Sequence, residues 1–241
     1  MTMKRWLGLI CLSVALSSGG SLVSAAQKSL KPQDELRKIF PKLKYTSFTK
    51  TEITGLYEVI ADGRIVYFYP KTGYLFVGEI YTKDGRNLTQ ERVLGERYRL
   101  LTNEDLKKAI KVGTGKNIVV EVTDPDCPYC RKMHAYWNSR KDLTRYIFFK
   151  PLDMHPDAVK KVTYILAADD TEKALFEVYS GQLDGNRKIL DQKHDDKGLL
   201  KAQKAITDKL QVNATPSYWV NGKYVSGANI PLVEKYLGKV R

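Results

Sequence analysis

The arrangement that most constrains this chain is an apolar, β-branched run, Ile118-Val119-Val120-Glu121-Val122, followed after four residues by Cys127-Pro128-Tyr129-Cys130. A run of that kind reads as a strand buried on both faces, the usual centre of an α/β sheet. Pro128 suits the first position of a helix, where its missing N–H is no loss. The spacing therefore predicts strand, turn and helix, with Cys127 as the cap residue and its sulfur beside backbone N–H groups that lack helical partners. Those donors and the helix dipole favour a negative charge, so Cys127 is expected to ionise easily. Cys130, one turn further in, is expected to be covered. In this reading Cys127 is the nucleophile, Cys130 resolves, and the two form a redox disulfide.

The remaining cysteine supports a working pair over a structural one. Met1-Thr2-Met3-Lys4-Arg5, the apolar run from Trp6 to Leu16 and the small residues ending at Ser24-Ala25-Ala26 have the three-part layout of a secretory signal peptide, assigned to residues 1–25. The run is shorter than the about 20 apolar residues that span a bilayer. Cys11 would leave with this segment, and the mature chain would keep only Cys127 and Cys130 in an oxidising compartment, the periplasm. A disulfide that closes so short a loop adds little stability through chain entropy. Two metal ligands are the other reading of the pair, but zinc needs two more, and His134, His155 and His194 are not at finger-like spacing. No metal or cofactor is called for. His134 reads as a helix-surface residue, with tuning of the thiols as the alternative.

The formal charge is +13, and losing Lys4 and Arg5 with the signal leaves +11. The basic residues are scattered among acids and accompany no nucleic-acid motif, so they read as a solvated surface and no nucleic-acid partner is expected.

Upstream of the buried run the period changes. Leu36, Ile39, Phe40 and Leu43 have helical spacing, and Pro41 is expected to end that helix early. From Gly55 the alternation is strand-like, with one hairpin turning at Asp62-Gly63 and another whose first strand, Tyr74–Tyr81, turns at Asp84-Gly85 toward Asn87-Leu88. Residues 27–95 thus read as a small α+β domain. A segment of about 70 residues has a poor ratio of core to surface, and pairing with a second copy would cover its apolar strand faces. Residues 96–114 read as a linker helix, with Thr102 or Asn103 as a cap, and Gly113-Thr114-Gly115 breaks it. Residues 115–241 then give strand, helix, strand, helices, a hairpin at Asn221-Gly222 and a closing helix. That is the order of an α/β thioredoxin-like domain with a helical insertion.

Cys127-Pro128-Tyr129-Cys130 after Thr123-Asp124-Pro125-Asp126, with Ala214-Thr215-Pro216 opening a late strand, resembles the periplasmic disulfide isomerases of the DsbC and DsbG type. Gly55-Leu56-Tyr57-Glu58-Val59 and Gly73-Tyr74-Leu75-Phe76-Val77-Gly78 through Asn87-Leu88-Thr89 extend the likeness to that family's N-terminal dimerisation domain. The resemblance implies that Pro216 is a cis-proline facing the cysteines and that Thr215 offers backbone to a bound peptide. Pro128 and Tyr129 join them as substrate-binding residues. It also implies a V-shaped homodimer whose cleft receives misfolded, disulfide-containing secreted proteins, and a membrane thiol reductase as electron donor. The mature chain lacks the second cysteine pair common in the DsbC branch, and its Pro-Tyr dipeptide is closer to the DsbG branch.

Glu121 is a carboxylate inside the apolar strand. A similar position in thioredoxin-like proteins holds a buried acid that moves the proton of the second cysteine, which would make Glu121 catalytic. The alternative is that Glu121 faces solvent or pairs with a lysine. The expected activity is reduction or reshuffling of wrong disulfides. Two alternatives remain: a dedicated thiol reductase for cytochrome c maturation or sulfenic acid rescue, and a chaperone-like peptide-binding dimer.

Overall fold

A computed structural model of the chain describes residues 30–238. The signal-peptide assignment falls outside the described residues. By packing, the described chain divides into two units, residues 30–62 with 67–75, and residues 63–66 with 76–238.

The N-terminal sequence opens with helix α1 (Pro32–Ile39), which has Pro32 in its first turn and acids Asp34 and Glu35 near its N-terminus. Both features suit a helix start. Its buried residue is Leu36, and Phe40 beyond its end meets Phe68 edge-on at 6.3 Å. A four-stranded sheet follows in the order β1 (Tyr45–Lys50), β2 (Tyr57–Ala61), β3 (Arg64–Tyr69) and β4 (Tyr74–Phe76). The hairpin at Asp62-Gly63 forms as expected, with φ of 50° and 73° at the two residues.

The strand expected over Tyr74–Tyr81 is shorter. β4 stops at Phe76, and beyond it only Tyr81 bridges to Asn87. Gly78 weakens the strand interior, and Asn87 instead caps helix α2 (Leu88–Arg97), its Oδ1 accepting from Gln90 N–H at 2.9 Å.

The linker helix expected over residues 96–114 is not continuous. After α2 comes a short 3-10 turn (Tyr98–Leu100), then α3 (Asn103–Leu106), then strand β5 (Ile110–Val112). Thr102 and Asp105 make a reciprocal capping box that starts a fresh helix. Ile110 pairs with Ile147 and is 7% exposed, so sheet pairing overrides helical periodicity there. The sheet therefore begins before residue 115. Residues 88–95, expected with the N-terminal domain, also pack in the second unit: Leu94 is buried, and its carbonyl accepts from Trp219 Nε1–H at 2.8 Å.

The five-stranded sheet of this unit runs β5-β7-β6-β8-β9, with β6 (Asn117–Thr123), β7 (Leu143–Phe149), β8 (Ser217–Val220) and β9 (Lys223–Ser226). Only the β6–β7 pair is parallel, joined through helix α4 (Pro128–Asn138). Between β7 and β8 the insertion supplies α5 (Ala158–Ala167), α6 (Thr171–Tyr179), α7 (Arg187–Leu190) and α8 (Leu199–Lys209), and α9 (Ile230–Leu237) closes the chain. Strand alternation divides the core. Val119 packs with Met133, Trp137 and Tyr218, whereas Val120 and Val122 pack with Phe148, Leu210 and Trp219. Glu121 shares the face of Val119, and so faces the α4 side.

Gly115 permits the β5–β6 turn. A Cβ there would lie 2.0 Å from the Asp142 carbonyl carbon, so no larger residue fits without moving the backbone at the start of β7.

Candidate active site

Cys127 is the cap residue of α4, with φ −74° and ψ 120°, and Pro128 occupies the first turn. The first helical bond runs from Arg131 N–H to the Cys127 carbonyl at 3.1 Å. Cys127 and Cys130 are both free thiols, 5% and 0% exposed. Cys127 Sγ donates to the Thr215 carbonyl at 3.5 Å. The Thr215–Pro216 bond is cis, and Pro216 leads directly into β8. Of the two residues that the resemblance sets against the cysteines, Thr215 thus has its carbonyl at Cys127 Sγ. Pro128 and Tyr129 are exposed at the rim, Tyr129 at 62%.

The two thiols are driven apart in acidity. The hydrogen bond from the Cys130 thiol, then the Cys130 backbone, the Thr215 side chain and the Tyr129 amide, outweigh burial and lower Cys127 to about 6. Burial, followed by the neighbouring Cys127, pushes Cys130 well above the usual thiol range. Ionisation at one sulfur and retention of the proton at the other is what an attacking thiol and a resolving thiol need.

Glu121 is 1% exposed, and its Oε2 accepts from Arg145 Nη2 at 2.7 Å. The solvent-facing and lysine-paired readings are both replaced by a buried pair with an arginine. The strand register explains the partner. Arg145 of β7 lies opposite Val119 in the parallel ladder, on the same face as Glu121 and diagonal to it.

His134 is not on the helix surface. It is 5% exposed, stacks on Tyr179 at 4.6 Å, and neither ring nitrogen has a hydrogen-bond partner. Burial, with Arg145 nearby, lowers it to about 3, so it is neutral near pH 7. His194 bonds the Ile189 carbonyl, and His155 bonds Asp124. Among the described residues, no cluster of three or more histidine, cysteine or acidic side chains is placed to hold a metal.

Against this geometry, a model described as a thioredoxin-like domain matches residues 102–239, more than half of the chain. Residues 23–90 match a disulfide bond isomerase N-terminal domain. The chain belongs to the DsbC-type thioredoxin-like family. The thiol:disulfide interchange protein DsbC of Escherichia coli K12 is 25% identical over 146 residues, covering 58% of this chain and 61% of that protein. The DsbC of Haemophilus influenzae is 27% identical over 136 residues, covering 54% and 58%. The alignments thus span less than two thirds of these relatives' lengths. A solved disulfide interchange protein from Neisseria gonorrhoeae is 26% identical over 54% of this chain and 93% of its own, with a TM-score of 0.45.

Several contacts around this DsbC-type cysteine pair left no sequence signal of their own. Asp126, next to Cys127, accepts from Arg131 Nη2 at 3.1 Å and from Lys161 Nζ. Both cations also bind Asp184 in the insertion, which holds the Asp184 carboxyl far below the usual carboxylate range. The carboxylate beside the nucleophile is thereby neutralised by a buried lysine, Lys161 at 3% exposure. Asp124 is fully buried, and its N–H donates to Cys130 Sγ at 3.4 Å. Only a motif match pointed to Asp124, and nothing pointed to Lys161 or Asp184, because their pairing depends on where the insertion helices return.

Proposed function

We propose that this chain exchanges disulfides in secreted proteins, as an isomerase and reductase. The observation that carries this reading is the split acidity of two adjacent thiols, one lowered to about 6 and one pushed up, at the start of a helix facing Thr215.

The Cys127 thiolate attacks one sulfur of a substrate disulfide. A Cys127–substrate bond forms, the substrate S–S bond breaks, and the departing substrate sulfur takes up a proton. If a second substrate thiolate then attacks the mixed disulfide, the substrate is reshuffled and the chain returns as a dithiol. If Cys130 loses its proton and attacks Cys127 Sγ, the substrate leaves reduced and Cys127–Cys130 becomes the disulfide. Thr215, Pro216, Pro128 and Tyr129 line the approach to Cys127 and take the substrate backbone. Glu121 serves the proton of Cys130. Supporting this, burial first and then the neighbouring Cys130 and Glu121 raise the Tyr179 and Tyr218 phenols, so both groups act on the same two rings.

The working form is a homodimer in the periplasm, paired through the N-terminal domain, with a membrane thiol reductase returning electrons to Cys127–Cys130. The signal-like layout of residues 1–25 and the match to a disulfide bond isomerase N-terminal domain support this setting. Among the described residues no helix is long and apolar enough to cross a membrane.

Refolding of scrambled ribonuclease with a trace of reduced thiol tests the proposal. Recovery of ribonuclease activity that is lost in Cys127→Ser is the expected result. Reduction of insulin without ribonuclease recovery would replace isomerisation with a dedicated reductase.

A further inference from the structure

Asp124 uses all of its polar atoms to hold the turn that carries the cysteines. Its N–H donates to Cys130 Sγ at 3.4 Å, and its carbonyl accepts from Cys127 N–H at 3.2 Å. Oδ1 accepts from Asp126 N–H at 2.7 Å. Oδ2 accepts from Leu152 N–H at 2.7 Å and from His155 Nδ1 at 2.9 Å. Both carboxylate oxygens already accept a backbone N–H, and the His155 bond completes the set with Nδ1 assigned as the donor. Asp124 is completely buried, whereas the His155 side chain is 19% exposed. His155 is thus the solvent-side end of a bonded path, His155 to Asp124 to the sulfur of Cys130, that crosses from the turn after β7 to the turn after β6.

We propose that His155 is a positioning residue for Cys130, acting through Asp124. The inference rests on the thiol-exchange reading of the site and assigns His155 to one of its two steps. A donor aimed at sulfur favours the thiolate, and Cys130 must become a thiolate before it attacks. In that step the Cys130 proton passes by way of Glu121 to solvent and the Cys130–Cys127 bond forms. The bond from Cys127 to the substrate sulfur breaks, and that sulfur leaves with the electron pair. Oδ2 of Asp124 holds two donors from the same turn. Removing the His155 donor leaves a buried carboxylate short of a partner, which loosens the Asp124 amide from Cys130. The bond that His155 supports ends on Cys130 Sγ, so its loss falls first on the resolving step and reaches Cys127 only indirectly, through the Cys130 thiol that tunes it.

The test uses the mature full-length protein and oxidised glutathione, read in single turnover as two rates: formation of the Cys127–glutathione mixed disulfide, and its release by Cys130. His155→Ala should slow release about tenfold, the scale of a hydrogen bond to a charged group. It should slow mixed-disulfide formation and shift the thiolate titration of Cys127 far less than it slows release. His155→Asn, whose amide can replace the Nδ1 donor, should recover most of the release rate. Should His155→Ala fail to fold, His155→Phe keeps the ring volume without the donor and should show the same slow release. Unchanged release in the variants without a donor, equal slowing of both steps, or no recovery by asparagine would overturn the proposal. Both rates are read on the cysteine pair itself, so failure of the ribonuclease assay would sink the isomerase reading without deciding this one.

Discussion

Glu121 Oε2 lies 2.7 Å from Arg145 Nη2, with the two side chains 1% and 3% exposed. Each charge is tolerable inside the protein only because the other is there. Arg145→Met should therefore cost about 3–5 kcal/mol, the usual result of leaving one member of a buried pair alone. The double variant Glu121→Gln, Arg145→Met should recover most of that loss. Urea unfolding of the reduced proteins measures both, and a single variant as stable as wild type would show that the pair does not hold the interior.

With Cys127 lowered to about 6 and Cys130 pushed up, alkylation of the reduced native protein at pH 7 should modify Cys127 alone. The Cys127→Ser variant should resist the reagent until urea exposes Cys130. For stability, the folded value of Cys127 lies below the unfolded one, near the ordinary 9.0. Its contribution is complete above that upper value and is lost as pH falls through about 6. Reduced wild type should thus gain stability relative to Cys127→Ser between pH 6 and pH 9, and flat or opposite behaviour in paired denaturation curves would contradict the assignment.

His134 makes a separate acid-side prediction. Burial lowers it from 6.5 to about 3, so the unfolded chain binds its proton first as pH drops. The stability due to neutral His134 is complete above pH 6.5 and is lost on the way down to pH 3, with a slope of up to about 1.4 kcal/mol per pH unit. His134→Phe, which keeps the stacking on Tyr179, should flatten the curve between pH 6 and pH 5, above the range where carboxylates dominate. An unchanged slope in that interval would place the ring in a protonated or exposed state instead.

The sequence by itself determined the features that depend on neighbours along the chain. The buried strand before the cysteines, Cys127 at the cap with Pro128 behind it, the Asp62-Gly63 hairpin and the Thr102 cap all follow from backbone preference and periodicity within a few residues. The place of Thr215-Pro216 beside the cysteines followed from a resemblance, since nothing local to residues 214–216 requires it. The tertiary structure decided what depends on elements distant in sequence meeting across the sheet. Ile110 leaves the helical pattern because β7 offers it a pairing edge. Glu121 pairs with Arg145 because parallel register puts them on one face. His134 is buried because α6 brings Tyr179 over it. Asp124 meets His155 only when the turn after β7 folds back on the turn after β6. Periodicity reports which side of an element is apolar, but a polar residue on that side reveals its partner only after packing has excluded water and left one group within reach.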